Sequence, residues 1–346
     1  MNPHALRLGL VIGLATALTK AIADTLGLGA EPVAYGVVIA ALVIRPDFKR
    51  WPGALYPVLV VLTAIAMAIG LAVRLGFPSA ASTVTVAVVA GLMQLFGLLL
   101  PAKLKLLTGA LAVAGVLPLL SSSATPGSWA REVGAIALGL GIGTLVQMAF
   151  TPATVPAASE QQELPPPDLP LEMRLRQGLS SPFFWQRTLL AMLALSIGEG
   201  LGALAPKYLY FGVVLLFNDS LDATLARVID RMGGVTLGVL MPLLVFNTVG
   251  MGPLEIGLVM GGTASLVMAL GLGSYLRTAL ISSGVAFVGY GPLVAWYIPN
   301  RWLDYLMGCL LAATAALMAE AFRRPAASRR LAPASLSPPG RDKSSG

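Results

Sequence analysis

Histidine and cysteine are almost missing from this chain, one of each in 346 residues. The histidine, His4, lies at the very start, which leaves no basis for a histidine-built metal site or a Ser-His-Asp triad. The cysteine, Cys309, has no second thiol to pair with, so an intrachain disulfide is excluded and the redox compartment is not readable. Charge is scarce too. Only 11% of residues are charged and 56% are hydrophobic, where soluble domains carry roughly 25% charged residues. No Gly-x-x-x-x-Gly-Lys-Ser/Thr loop occurs, so the chain does not itself hydrolyse ATP through a P-loop. No cluster of acid, base and nucleophile accompanies the few charges, which argues against an enzyme. A nucleic-acid reading would need a folded basic domain, and none is encoded. No cofactor is implied.

What is present is a succession of apolar runs near the ~20 residues that cross a ~30 Å hydrocarbon core. They fall at 5–26, 33–44, 53–73, 80–100, 104–121 and 132–150, then at 186–205, 208–217, 232–250, 254–273, 276–297 and 302–322. The first reads as a retained span rather than a cleavable signal. The runs at 33–44 and 208–217 are short for a full crossing; tilt, extension by flanking residues or a re-entrant path would each accommodate them. The expectation is an all-α polytopic membrane protein of about twelve transmembrane helices. Residues 1–150 form a first six-helix half and 186–322 a second. Between them, 151–185 is a linker carrying Pro165, Pro166 and Pro167 with Glu160, Glu163, Asp168 and Glu172, too polar to fold alone. The Pro-, Ser- and Arg-rich tail, 323–346, is expected to be disordered.

The halves read as a pseudo-symmetric parallel repeat. Arg7 and Arg187 open the first span of each, and Tyr35-Gly36-Val37-Val38 matches Phe211-Gly212-Val213-Val214 in the second. An even number of spans gives both halves one orientation, with the pseudo-two-fold axis along the membrane normal. Basic residues set that orientation. With both termini and the linker in the cytoplasm, Arg45, Lys49, Arg50, Lys103, Lys105, Arg174, Arg176, Arg227, Arg231 and Arg277 lie inside, and only Arg74, Arg131, Lys207 and Arg301 outside. Trp51, Trp129, Trp185, Trp296 and Trp302 all fall near span ends, as an interfacial belt requires. The formal net charge of +7 thus reflects topology and attraction to anionic membrane lipids.

Charges inside spans are costly and mark candidates for function. Lys20 and Asp24, four apart, can neutralise each other, and Lys20 can also snorkel outward. Glu199 has no such local partner. It reads either as a proton or substrate group or as a carboxylate at the interface, and a Lys20–Glu199 pair across the axis would strand either member if the other were removed. Between Tyr208 and Gly238 an apolar run stops at Asn218 and Asp219, and a polar segment of helical order follows. Leu221, Leu225, Val228, Ile229 and Met232 share one face, with Asp222, Arg227, Asp230 and Arg231 opposite. Ser220 or Asp219 can cap its start. The segment reads as a short helix on the membrane surface that turns inward at Met232. Arg227 and Arg231 are then either positive-inside anchors or groups that draw an organic carboxylate to the cytoplasmic mouth, flanked by Asn218 and Asp219. Gln94, Gln147 and Asn247 suit interhelical hydrogen bonds. Gly9/Gly13, Gly139/Gly143, Gly198/Gly202, Gly234/Gly238 and Gly257/Gly261 suit close helix packing.

One pattern goes further. Thr224-x-x-Arg227-x-x-x-Arg231-x-x-Gly234-x-x-x-Gly238, just after an apolar span, resembles the signature of the fusaric acid resistance/aromatic acid exporter family of integral membrane transporters, of which plant malate channels are distant relatives. Asn218-Asp219 stands where that family usually has Gln-Pro, and Ile44-Arg45-Pro46-Asp47-Phe48 is a weaker echo in the first half. The resemblance implies an integral membrane transporter, expected here to export small organic or aromatic acids across a bacterial inner membrane. The intramembrane charges add the expectation of secondary transport with proton coupling through Glu199. A passive organic-anion channel and a non-transporting scaffold with a partner are the alternatives. Self-association and an accessory efflux partner are both compatible with this class.

Overall fold

In a chain this apolar, backbone N–H and C=O groups have to be paired within each segment. The computed structural model meets that demand with helices, and no strand occurs among the described residues. Those residues are 3–48, 55–78, 82–101, 104, 108–120, 125–150, 170–201, 207–218, 220–246, 252–290 and 294–330. The first six helices are α1 (Pro3–Thr25), α2 (Ala30–Val43), α3 (Leu55–Gly76), α4 (Ser82–Leu99), α5 (Thr108–Leu120) and α6 (Pro126–Phe150). A short α7 (Leu171–Ser180) precedes α8 (Pro182–Gly200), α9 (Lys207–Leu216), α10 (Leu221–Phe246), α11 (Pro253–Ala269), α12 (Leu276–Tyr290) and α13 (Val294–Arg330).

The described part of every apolar run expected from the sequence lies largely on a helix. Among the described residues, six helices are long and apolar enough to cross a membrane: α1, α3, α4, α6, the Leu221–Val245 part of α10 and the Ile298–Ala321 part of α13. Their outward faces suit lipid. On α1, Leu6, Leu10, Leu14, Leu18 and Ile22 recur every fourth residue and are all exposed, while Leu8, Ile12 and Ala15 are buried.

The packing scheme of the first six helices recurs in the last six. In the first set α1 packs on α2 and α6, α2 on α6, α3 on α4, α5 and α6, and α4 on α5. In the second, α8 packs on α9 and α13, α9 on α13, α10 on α11, α12 and α13, and α11 on α12. Contacts between the sets pair off likewise, α1 on α11 with α8 on α4, and α2 on α12 with α9 on α5. The shared Gly-Val-Val motif has a packing reason. A Cβ on Gly36 would lie 2.6 Å from the carbonyl oxygen of Ala135, and one on Gly212 would lie 3.1 Å from the Cα of Gly308. Each motif glycine is therefore where the second helix of its set crosses the last, with backbones in contact as lipid-embedded helices favour.

Three expectations need correction. The linker is not structureless to residue 185: α7 and the start of α8 lie within it, and 151–169 fall outside the described residues. Residues 323–330 continue α13 rather than beginning a disordered tail, and 331–346 are again outside the described residues. The third correction concerns α10, which runs unbroken from Leu221 through Met232 to Phe246. Ile229 is 62% exposed and Leu225 38%, whereas Thr224 and Arg231 are buried. Leu225 and Ile229 thus face outward while Thr224 and Arg231 face inward; Val228 and Met232 pack against the buried Leu216, Cys309 and Ala312, and Asp222 and Arg227 stay exposed. A helical pattern alone cannot distinguish these orientations, because lipid and core both favour the apolar face.

Candidate functional site

The turn between α9 and α10 is held by its own side chains. Ser220 Oγ accepts from the N–H of Ala223 at 3.3 Å, capping α10 as its sequence position suggested. Thr224 Oγ1 accepts from the N–H of Asn218 at 3.2 Å and donates to the carbonyl of Ser220 at 2.9 Å. The Asn218 amide donates to the carbonyl of Leu216 at 2.8 Å. Asp219 lies outside the described residues.

Against this turn sits a cavity of about 570 Å³ lined by Phe183, Arg187, Phe217, Asn218, Ser220, Ala223 and Arg227. Phe183 and Phe217 stack, their centroids 5.5 Å apart and their planes 12° from parallel. The Arg187 guanidinium lies 6.0 Å from the Phe183 ring centre and donates through Nη2 to the carbonyl of Val214; its Nε is buried without a hydrogen-bond partner. Arg227, at the exposed mouth, donates to the carbonyl of Leu215 at 3.4 Å. Neither guanidinium makes an ion pair among the described residues. Two fixed cations and the positive end of α10 favour an anion, and the stacked rings offer a flat apolar wall beside it. The volume is that of a small-molecule site, roughly 300–1,000 Å³.

Arg231, one turn past Arg227, is not at the mouth. It is 7% exposed and about 15 Å along α10 from Leu221 at ~1.5 Å per residue. Its Nη2 donates to the Tyr305 hydroxyl at 3.1 Å, its Cζ is 4.8 Å from that ring's centre, and its Nε is buried without a hydrogen-bond partner. A buried guanidinium held by a tyrosine is not a surface anchor.

Among the described residues of the corresponding turn in the first set, between α2 and α3, a carboxylate meets the arginine. Arg45 meets Asp47 through Nε at 3.1 Å and Nη2 at 3.0 Å, and its backbone N–H donates to Gln147 Oε1 at 3.2 Å. Arg7 lies over the Phe48 ring at 4.8 Å and donates to the carbonyl of Phe150. Phe48 takes a positive φ of 53° to reach that position and is buried.

The remaining sequence candidates lie elsewhere. Lys20 pairs with Asp24, and Glu199, at the far end of α8 from Arg187, is exposed and accepts from Ser82 Oγ at 2.6 Å. No Lys20–Glu199 pair forms, since each has its nearer partner. The turn thus brings Asn218 and Arg227 together, while Lys20, Asp24, Glu199 and Arg231 stand apart from the cavity. Arg187 was visible in the sequence only as a marker of the repeat. Its site role depends on α8 folding against α9, and the pair of aromatics flanking it was the available clue. Two buried carboxylates also escaped notice, Glu132 on α6 at 3% exposed and Asp304 on α13 at 6%. Each stands near a tryptophan, Trp129 or Trp302, that read as the interfacial end of a span. Among protein families, curated proteins and solved structures, nothing matches this chain.

Proposed function

We propose that the chain is an integral membrane transporter for small organic anions, aromatic acids among them, working by secondary transport. The observation that carries this reading is the cavity in which Arg187 and Arg227, unpaired among the described residues, flank the stacked Phe183 and Phe217. A carboxylate suits the guanidiniums through charge-assisted bidentate hydrogen bonds, and an aryl ring suits the phenylalanine wall. The apolar bundle supplies the setting, and the recurring packing scheme favours two six-helix membrane halves about an axis along the normal. The excess of basic residues at the end holding Arg45, Arg174 and Arg227 favours a cytoplasmic position for that end and for the cavity mouth. The paired arginines within the Thr224–Gly238 pattern fit the resemblance to aromatic acid exporters.

The test is flux of radiolabelled benzoate in proteoliposomes, with and without an imposed proton gradient, beside benzoate binding to the purified chain by calorimetry. Saturable flux that responds to the gradient, with binding abolished by loss of the two arginines, is the expected result. Unsaturable flux indifferent to the gradient would make the protein a channel. Absence of both binding and flux across a panel of organic acids would leave it a scaffold.

A further inference from the structure

The two seams that join the halves are equivalent in the packing scheme but differ in chemistry. At α1–α11 the backbones touch. A Cβ on Gly13 would lie 2.8 Å from the carbonyl oxygen of Gly257, and one on Gly257 2.9 Å from that of Gly13. Gly9 and Gly261 are related in the same way, at 2.6 and 2.5 Å. Helices this close cannot slide or part without losing dense packing along both. At α4–α8 the fit is looser: a Cβ on Gly91 would meet only Thr188, at 3.8 Å. Side-chain hydrogen bonds form the rungs here. Gln94 Nε2 donates to Thr188 Oγ1 at 2.8 Å, and Ser82 Oγ to Glu199 Oε1 at 2.6 Å.

The third rung comes from outside both helices. Arg174 of α7 donates through Nη1 to the carbonyl of Leu100 at 2.9 Å, one of the free carbonyls at the end of α4. Gly178 of the same helix lies on Leu98, so close that a Cβ there would reach 2.9 Å from Cδ2. Just past Gly178, α7 is joined to α8 through Ser181, and Trp185 of α8 donates through Nε1 to the carbonyl of Leu179 at 2.9 Å. One short helix therefore grips α4 with its side chains while its chain leads into α8.

We propose that α7 is a latch that holds the α4–α8 seam closed at the end where the cavity opens. A guanidinium at the negative end of α4 is a charge-assisted contact that breaks as a unit, and at Gly91, in the seam behind it, the backbones do not interlock. Because α8 also carries Phe183 and Arg187, release of α7 frees the α8 wall of the cavity. That consequence rests on the anion reading; the mechanics of the latch do not.

The test uses the full chain in detergent without any added anion. In a Cys309→Ser background, Gly91→Cys reports on the α4–α8 seam through its rate of reaction with a water-soluble maleimide. Ser265→Cys reports on α1–α11, where Ser265 Oγ donates to the carbonyl of Ala5 at 3.3 Å. Adding Arg174→Leu is expected to raise the Gly91→Cys rate by about tenfold, the worth of one hydrogen bond to a charged group, and leave Ser265→Cys unchanged. Arg174→Lys, which can still donate to the carbonyl, should return the rate toward the parent value and so separate release of the latch from misfolding. No rise at Gly91→Cys, or an equal rise at both seams, overturns the proposal. Failure of benzoate to bind, by contrast, would count against the anion site alone.

Discussion

The α2–α3 and α9–α10 turns occupy matching places in two sets of helices that pack alike, yet among the described residues only the first sets a carboxylate against an arginine. In the first, Asp47 neutralises Arg45, while Arg7, like Arg187, lies on a phenylalanine ring and donates to a carbonyl. In the second, Arg187 and Arg227 face a cavity of about 570 Å³ with no carboxylate paired to either among the described residues. Topology places an arginine at both turns. A few side chains then decide whether that charge is spent inside the protein or left for a ligand, which is why function belongs to the site and not to the fold.

The largest effect expected is from removing the second turn's charge. Arg187→Gln with Arg227→Gln should weaken benzoate binding by roughly a hundredfold or more, two charge-assisted hydrogen bonds at ~1.5–3 kcal/mol each before screening at the exposed Arg227 reduces its share. Calorimetry on the purified variant measures this. Arg7→Gln is the matched control in the other half, and an equal loss there would dissolve the contrast between the turns.

The next effect is on stability, at the crossings that the two motif glycines share. A Cβ on Gly139 would run into the carbonyl oxygen of Gly36, a backbone atom that cannot move aside, whereas a Cβ on Gly308 would stay 3.2 Å or more from every described neighbour outside its own helix. Gly139→Ala should therefore cost about 1–3 kcal/mol, the usual range for overpacking. Gly308→Ala should cost less than half of that. Thermal unfolding in detergent reads both, and a larger drop for Gly308→Ala would show the second crossing to be the more tightly constrained.

A smaller effect should follow from making the second turn resemble the first. Asn218→Asp places a carboxylate on the cavity wall near the two guanidiniums, as Asp47 stands to Arg45. Benzoate affinity should fall by about tenfold, since a resident anion must be displaced or repelled, while the turn keeps its backbone bond to Thr224 Oγ1. Unchanged affinity would mean that the ligand does not approach Asn218.

Much of this architecture was legible in the sequence, because apolar run length and glycine spacing are set by local physics. The Gly9/Gly13 and Gly257/Gly261 pairs were readable as packing devices, although only the fold shows that they pack on each other. The orientation of α10 was not legible. Leu225 and Ile229 mark an apolar face equally well whether lipid or protein covers it, so Arg231 read as a surface anchor when it is buried against Tyr305. The cavity was legible in half. Asn218 and Arg227 stand near one another in the chain, but Phe183 and Arg187 arrive from a helix some thirty residues earlier, and no spacing rule links segments that meet only through packing.

The smallest effect should come from Glu199, the residue that the cost of intramembrane charge made most prominent in the sequence. That cost applies to a desolvated carboxylate. Glu199 instead sits in the last turn of α8, next to the helix end, with the Ser82 hydroxyl donating to it. Glutamine keeps an acceptor oxygen at the same reach, so Glu199→Gln should preserve that rung of the α4–α8 seam. Stability should change by no more than about 0.5 kcal/mol, as for most surface substitutions, and benzoate affinity not at all, because the residue lies at the opposite end of α8 from Arg187. Lys20 should be equally indifferent, since it is already paired with Asp24. The decisive measurement is flux against pH in wild type and Glu199→Gln. If the variant loses its response to an imposed proton gradient, the carboxylate carries the coupled proton despite its place at the helix end. If the response survives, the coupling group must be sought among the buried acids, where Glu132 and Asp304 sit on the last helix of each half.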